Sequence, residues 1–133
     1  MTTSLRPRLI VADAQAAIEF YASAFGASEL VRFTDDAGAT VHAELTIGDA
    51  GFYLKDADSD DPDPLALGGT PVLLSQRVPT IDAVDGTVGA AVRHGATVIF
   101  PVADRDYGER DGRIADPFGH VWLIGSPLGV GAQ

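Results

Sequence analysis

The order of apolar and polar residues along the chain describes one pattern twice: a short strand, a helix and three further strands. The clearest sign of this repeat is the end of the helix, where an aromatic residue or histidine is followed by glycine and alanine. This end occurs as Phe25-Gly26-Ala27 in the first half and as His94-Gly95-Ala96 in the second. Self-similarity on this scale is typical of a duplicated structural unit. The repeat therefore predicts an α+β fold of two tandem βαβββ modules that form a cupped mixed sheet.

In the first half, a helix is predicted after Asp13, which is a good N-cap residue. Apolar residues then recur with helical spacing as far as Phe25, and Gly26 ends the helix. Alternating apolar residues predict strands on both sides of it. These strands are predicted at residues 8–11, 29–34, 39–47 and 51–55.

The second half gives the same order of elements. A helix with Val84, Val88 and Ala91 on one face ends before Gly95. The sequence Asp-Pro-Phe-Gly at residues 116–119 is a turn that precedes the last strand. Strands are predicted at residues 72–78, 97–102, 113–115 and 120–124.

We interpret the chain as a single domain with four parts. These are module one at 1–56, a linker at 57–70, module two at 71–126 and a tail at 127–133. The linker is rich in aspartate, but Pro62 and Pro64 interrupt the alternating ligands that a calcium loop needs, so a solvated connection is predicted. A sheet with one uncovered face favours a second copy, and we expect a homodimer.

Charge and cysteine content exclude several partners and chemistries. Nine basic against nineteen acidic residues give a net charge of -10, which disfavours nucleic acid and anionic membranes. No apolar stretch is long enough to span a bilayer, and the amino terminus lacks signal-peptide features, so we expect a cytoplasmic protein. The absence of cysteine removes thiolate metal ligands and cysteine nucleophiles.

Several motifs resemble the vicinal oxygen chelate superfamily of glyoxalase, fosfomycin-resistance and bleomycin-resistance proteins. They are Val11-Ala12-Asp13, Ile18-Glu19-Phe20-Tyr21, Phe25-Gly26-Ala27, His42-Ala43-Glu44-Leu45 and Asp116-Pro117-Phe118-Gly119-His120. With Tyr107-Gly108-Glu109-Arg110 before it, the last motif is similar to the PhnB-like branch. The resemblance implies a glyoxalase-like fold around a small-molecule cleft. It does not fix a reaction, because the superfamily contains enzymes as well as drug-binding proteins.

Metal-dependent members of that superfamily hold their ion with His, Gln or Glu side chains from the first and last strands of each module. The resemblance places the matching positions at Arg6 and Tyr53 in module one and at Leu73 and Leu123 in module two. Arginine and leucine cannot ligate a divalent cation. We therefore expect no metal and no other cofactor, with a divalent metal at other ligands as the alternative.

Strand alternation predicts which side chains enter the cleft. If Leu9 and Val11 pack under the helix, their strand neighbours face the cup. Nearby arginines and aromatic residues suit an anionic or aromatic ligand, although salt bridges and core packing are the alternatives. The predicted ligand-binding residues are Arg6, Arg8, Tyr53, Leu73, Ser75, Arg77, Tyr107, Arg110 and Leu123.

His42 and Glu44 are the candidate catalytic residues, because they point to the same face of one strand. Glu44 would act as the base and His42 as its acid partner. The alternative is a pair that is hydrogen-bonded to itself or to an arginine and has no catalytic role. His120 is expected to make a structural hydrogen bond, and Trp122 is expected in the core.

Two functions follow from these residues. The first is a metal-free small-molecule binding protein of the glyoxalase/bleomycin-resistance type, which sequesters a drug or metabolite. The alternative is a lyase, isomerase or dioxygenase-like enzyme that uses His42 and Glu44 or a relocated divalent metal. Nothing specific favours a third possibility, a regulatory module without a ligand.

Overall fold

The computed structural model describes residues 2–129 and contains the βαβββ unit twice. Module one consists of β1 (Arg8–Val11), α1 (Ala14–Phe25), β2 (Ser28–Thr34), β3 (Thr40–Ile47) and β4 (Ala50–Asp56). A short helix, α2 (Pro64–Leu67), follows in the linker. Module two consists of β5 (Leu73–Arg77), α3 (Ile81–Arg93), β6 (Thr97–Asp104), β7 (Glu109–Ala115) and β8 (Val121–Pro127). The predicted α+β fold is confirmed.

Each module forms one four-stranded mixed sheet. We call the first, with strand order β1-β4-β3-β2, sheet one, and the second, with order β5-β8-β7-β6, sheet two. In both sheets the first strand of the module pairs in parallel with the last, and the other pairs are antiparallel. The two sheets therefore share one topology, as a duplication requires.

Helix α1 begins and ends at the residues that the sequence predicts. The side chain of Asp13 accepts a hydrogen bond from the Ala16 amide, which satisfies one of the free donors of the first turn. Gly26 adopts a left-handed conformation with φ 69°, which a residue with a β-carbon rarely takes. No helix within residues 2–129 is long and apolar enough to cross a membrane.

Alternation along the strands gives each sheet a helix-facing side and an opposite side, which we call its open face. In sheet one, Leu9, Val11, Ala43, Leu45 and Leu54 are buried on the helix-facing side. In sheet two, the buried residues on that side are Ile114, Trp122 and Ile124. The alternation therefore follows the predicted pattern.

The two modules meet through their helix-facing sides. Phe52 of β4 and Trp122 of β8 pack edge to face, with ring centroids 6.3 Å apart. Tyr21 of α1 contacts both rings at 5.6 Å, and its hydroxyl donates to Asp116 Oδ2 at 2.6 Å. All of these residues belong to one continuous apolar core or line it.

Because the helix-facing sides join in a shared core, both open faces point away from it. The physical reason is the distribution of apolar area: aromatic rings are concentrated on the helix-facing sides, where their burial stabilises the fold most. The open faces carry charged residues whose burial against each other would cost free energy.

The aspartate-rich linker folds back onto module one instead of extending into solvent. Lys55 Nζ bonds to Asp58 Oδ2 at 2.7 Å and to Asp61 Oδ2 at 2.6 Å, and these hydrogen bonds raise the pKa of the lysine. Pro64 then starts α2, a position at which proline suits a helix. The Lys55 ammonium is thus occupied by linker carboxylates.

Candidate functional site

The open face of sheet one carries a histidine–glutamate pair between aromatic rings. His42 Nε2 and Glu44 Oε2 lie 3.0 Å apart, and their side chains are 23% and 38% exposed. The His42 ring stacks on Phe33 at 6.1 Å and lies 5.0 Å from the ring of Tyr53. The two candidate catalytic residues are therefore hydrogen-bonded to each other and remain open to a ligand from one side.

Arg8 lies in the same row of sheet one as this pair. Strand register sets Arg8 beside Tyr53, and Tyr53 beside Glu44. One Arg8 nitrogen, Nη2, donates to the Val41 carbonyl at 3.1 Å. The row thus brings a cation, a phenol and a carboxylate onto one surface, which suits a ligand with both polar and aromatic parts.

The open face of sheet two has a different composition. Register sets Ser75 beside Leu123, Leu123 beside Arg113, and Arg113 beside Phe100. The Arg113 guanidinium carbon lies 5.0 Å above the centre of the Phe100 ring, a cation–π arrangement. Its Nε is buried and has no hydrogen-bond partner within residues 2–129. Leu73 lies on this face too and is 42% exposed.

Arg113 is a candidate site residue that sequence reasoning missed. The signal was available, because Ile114 is a strongly apolar strand residue and its burial sends both neighbours to the open face. The sequence predicts a strand that begins at Arg113, and alternation places the Arg113 side chain on the face opposite to Ile114. The structure therefore adds a cation to the predicted set.

The positions that the resemblance matches to a superfamily metal site are not all direct strand partners. Register sets Arg8 beside Tyr53 and Ser75 beside Leu123, whereas Arg6 precedes β1 and Leu73 pairs with Val121. None of these residues carries an imidazole or a carboxylate. No group of three or more His, Cys, Asp or Glu side chains in the described part of the chain can hold a metal ion. The donors at these positions do not fit a divalent cation.

Two of the predicted arginines are engaged in salt bridges. Arg110 contacts Asp85 and Asp104, each at 2.9 Å, and the hydrogen bond with Asp85 is the main cause of its raised pKa. Arg77 Nη1 lies 2.5 Å from Glu109 Oε1. These contacts realise the salt-bridge alternative, and ligand binding by Arg110 and Arg77 stays a prediction.

Tyr107 lies in the turn between β6 and β7, where its ring is largely exposed. Its hydroxyl donates to Asp111 Oδ2 at 2.7 Å, and this hydrogen bond raises the pKa of the phenol. Arg105 Nε holds the other carboxylate oxygen at 2.9 Å. Tyr107 therefore has a fixed hydroxyl and a free ring face, and its contact with a ligand stays a prediction.

A third region is a cavity of about 840 Å³ at the junction of the modules. It opens between the helix-facing sides of the two sheets, where Leu9 and Phe52 lie opposite Leu74 and Trp122. Of the predicted ligand-binding residues, three line it: Arg6, Ser75 and Arg77. The predicted set is thus spread over this cavity, the two open faces, the turn that holds Tyr107 and the α3 side of sheet two, where Arg110 contacts Asp85.

The Asp-Pro-Phe-Gly turn has a structural role. Asp116 is buried and accepts from Tyr21 Oη, Trp122 Nε1 and the amides of Phe118 and His120. Burial and the carboxylate raise the pKa of Tyr21. His120 Nε2 contacts the Ile10 carbonyl at 2.8 Å, so the turn fastens module two to α1 and to β1. The expected structural role of His120 and the core position of Trp122 are both observed.

The family comparison agrees with this architecture. Residues 4–124 match the model of the Glyoxalase/Bleomycin resistance protein/Dioxygenase superfamily. The chain is 39% identical over 130 residues to an uncharacterised protein of Mycobacterium bovis, an alignment that covers 94% of this chain and 84% of the relative.

Solved structures with low sequence identity share the fold. The PhnB protein from Bacillus cereus is 17% identical, with a TM-score of 0.74 and coverage of 93% of this chain and 99% of that one. The fosfomycin resistance protein FosX from Mesorhizobium loti is 16% identical, with a TM-score of 0.69 and coverage of 95% and 92%. At these identities the similarity establishes the architecture alone.

Proposed function

The chain belongs to the Glyoxalase/Bleomycin resistance protein/Dioxygenase superfamily, and from this premise we propose that it is a metal-free small-molecule binding protein. It acts in the cytoplasm and sequesters a drug or metabolite. The ligand lies in a homodimer, between the open face of sheet one in one copy and the open face of sheet two in the other. One observation carries the proposal: both open faces hold half-buried polar groups beside exposed aromatic rings, and neither face covers the other.

Exposed rings and opposite charges support the pairing of two copies. Phe33 on sheet one is 58% exposed, and Phe100 on sheet two is 52% exposed. Apolar surface of this kind marks a site of interaction. Glu44 on the first face and Arg113 on the second have opposite charges, which favours contact between unlike faces of two copies.

The side chains of the two faces indicate the class of ligand. The guanidinium groups of Arg8 and Arg113 are donors for a carboxylate or carbonyl oxygen. Phe33, Tyr53 and Phe100 supply flat surface for an aromatic group. We infer an aromatic or polycyclic ligand with an anionic or carbonyl group. The net charge of -10 argues against nucleic acid or an anionic membrane as partner.

We propose a metal-free protein because the side chains that would have to coordinate a metal ion are poor ligands. The two register pairs, Arg8 with Tyr53 and Ser75 with Leu123, supply a cation, two hydroxyl groups and an alkyl chain. A divalent ion at the family position would meet a positive charge from Arg8 and only weak ligands.

One observation favours an enzyme as the second candidate. The 3.0 Å contact between His42 and Glu44 holds the carboxylate in a fixed position with one side accessible. A carboxylate in this setting can take a proton from a bound carbon or oxygen acid while the imidazole returns one. The atoms for acid–base catalysis are present without a metal.

A binding experiment with matched variants tests the proposal. Protein purified without a metal-affinity tag is analysed for zinc, nickel, manganese and iron and then titrated with bleomycin and with polycyclic aromatic carboxylates. We expect far less than one metal per chain and a dimer by light scattering. A ligand at 100 times its Kd stabilises the fold by about 2.7 kcal/mol, which is visible as a thermal shift.

Two variants identify the site. Arg113→Leu should reduce the thermal shift, whereas Arg93→Gln, which removes an equal charge from the exposed end of α3, should leave it unchanged. Stoichiometric metal, or a monomer that no compound stabilises, contradicts the proposal. Turnover of a bound compound that disappears in Glu44→Gln, with binding and fold retained, establishes the enzyme instead.

A further inference from the structure

The cavity at the module junction is separate from the open faces to which the proposed function assigns its ligand. Its walls are helix-facing residues of both sheets, and its rim is formed by residues 4–7, by the turn between β3 and β4, and by the end of β5. Its volume of about 840 Å³ lies in the range of small-molecule sites in proteins. A ligand bound here would contact both modules of one chain.

The walls of this cavity are apolar and partly aromatic. Leu9 and Phe52 come from module one, and Leu74 and Trp122 come from module two. The indole nitrogen of Trp122 already donates to Asp116 at 2.9 Å, so its ring contributes flat apolar surface to the cavity. Such walls suit a planar hydrocarbon body.

The rim is polar and carries Asp49 and two arginines, Arg6 and Arg77. Arg6 has no ion-pair or hydrogen-bond partner within residues 2–129, whereas Arg77, which also lines the cavity, is held by Glu109. The Arg6 guanidinium lies directly against Gly51, where an added β-carbon would be 1.7 Å from Nη1. Glycine at position 51 therefore creates the space in which this cation lies beside the cavity.

We propose that the junction cavity is a second binding site, which takes a planar aromatic carboxylic acid with its ring against the apolar wall that includes Phe52 and Trp122 and its carboxylate on Arg6. The unpartnered guanidinium supplies paired donors that match a carboxylate. The site is complete within one chain and does not depend on dimer formation.

Trp122 provides a specific readout, because it is the only tryptophan of the chain and lines this cavity, not an open face. The probe is 4-nitrobenzoate, a planar carboxylate whose nitro group quenches tryptophan emission on contact. Its neutral counterpart is 4-nitrobenzamide. We expect saturable quenching by the carboxylate and at least about tenfold weaker binding of the amide, since a charge-assisted contact is lost.

Two variants with different effects on Arg6 complete the test. Arg6→Gln removes the charge, and Gly51→Ala keeps the charge but displaces the guanidinium. Both should weaken the binding of 4-nitrobenzoate about tenfold without changing the emission of the free protein, whereas Arg93→Gln should have no effect.

Three results overturn the proposal. They are quenching that does not saturate, equal binding of acid and amide, or affinity that neither variant changes. This test is independent of the proposed function. If Arg113→Leu does not change the thermal shift, the open-face proposal fails, but the binding of 4-nitrobenzoate at the junction cavity is not affected.

Discussion

Strand register sets the two modules in correspondence, with Leu54 of β4 matching Ile124 of β8, both fully buried. On the same helix-facing side, Ala43 is the antiparallel neighbour of Leu54, and Gly112 is the antiparallel neighbour of Ile124. Ala43 and Gly112 therefore correspond. One step along, on the open face, Glu44 lies beside Tyr53 in module one, and Arg113 lies beside Leu123 in module two. At these positions the buried side is apolar in both modules, whereas on the open side module one has a carboxylate and module two has a guanidinium.

This difference separates what holds the fold from what selects a ligand. Helix-facing positions in the middle of the sheets must fill a shared core, which favours apolar residues that pack without voids. Open-face positions are free of that requirement and can carry Glu44 in one module and Arg113 in the other. Two unlike faces can enclose a ligand of mixed character more closely than two equal faces.

The largest expected effect comes from the turn before the last strand of each module. Asp116 accepts four hydrogen bonds, whereas the corresponding turn of module one contains the exposed Asp49. We expect Asp116→Ala to lower the free energy of unfolding by about 3 to 5 kcal/mol, because several buried donors lose their acceptor together. Urea denaturation measures the loss.

Asp49→Ala is the matched control and should stay within about 0.5 kcal/mol of the parent protein. Equal effects of the two substitutions would show that the module junction does not depend on this carboxylate.

The next largest effect is expected two residues after Leu54 and Ile124, where module one has Asp56 and module two has Ser126. Asp56 ends β4 and accepts from the amides of Ala14 and Thr40, each at 2.7 Å. Asp56→Ala leaves both amides without this acceptor and should cost about 2 kcal/mol. Urea denaturation and amide hydrogen exchange at the start of α1 test it, and unchanged protection of Ala14 would contradict it.

The smallest effect is expected at the corresponding residue of module two. Ser126 is fully buried, and its hydroxyl has no hydrogen-bond partner within residues 2–129. Ser126→Ala should therefore be neutral or stabilise the protein by up to about 1 kcal/mol. A clear loss of stability in urea would show that this hydroxyl has a hydrogen-bond partner. Position 126 would then resemble position 56, where Asp56 is hydrogen-bonded.

Local signals made much of the fold predictable from sequence. Asp13 and Gly26 set the limits of α1, because each residue satisfies a specific requirement of a helix end. Strand β7 was predicted only from Arg113, although it begins at Glu109. Its first half is polar, and Asp111 is buried there only because Tyr107 and Arg105 bind its carboxylate. Alternation of apolar residues cannot show such a strand.

The candidate site was less accessible to sequence reasoning. The residues of each face follow from alternation, and Arg113 could have been found in that way. Which faces meet depends on long-range contacts such as that between Phe52 and Trp122, which no local pattern encodes. The same is true of the junction cavity, which exists only because two apolar sides meet incompletely.

The hydrogen bond from Tyr21 to Asp116 also fixes an order of events during synthesis. Sheet one contains only strands of module one and can close as soon as β4 has left the ribosome. The Tyr21 hydroxyl must wait for a carboxylate that lies 95 residues further along the chain. Until then, Tyr21 and Phe52 have no Trp122 ring to pack against.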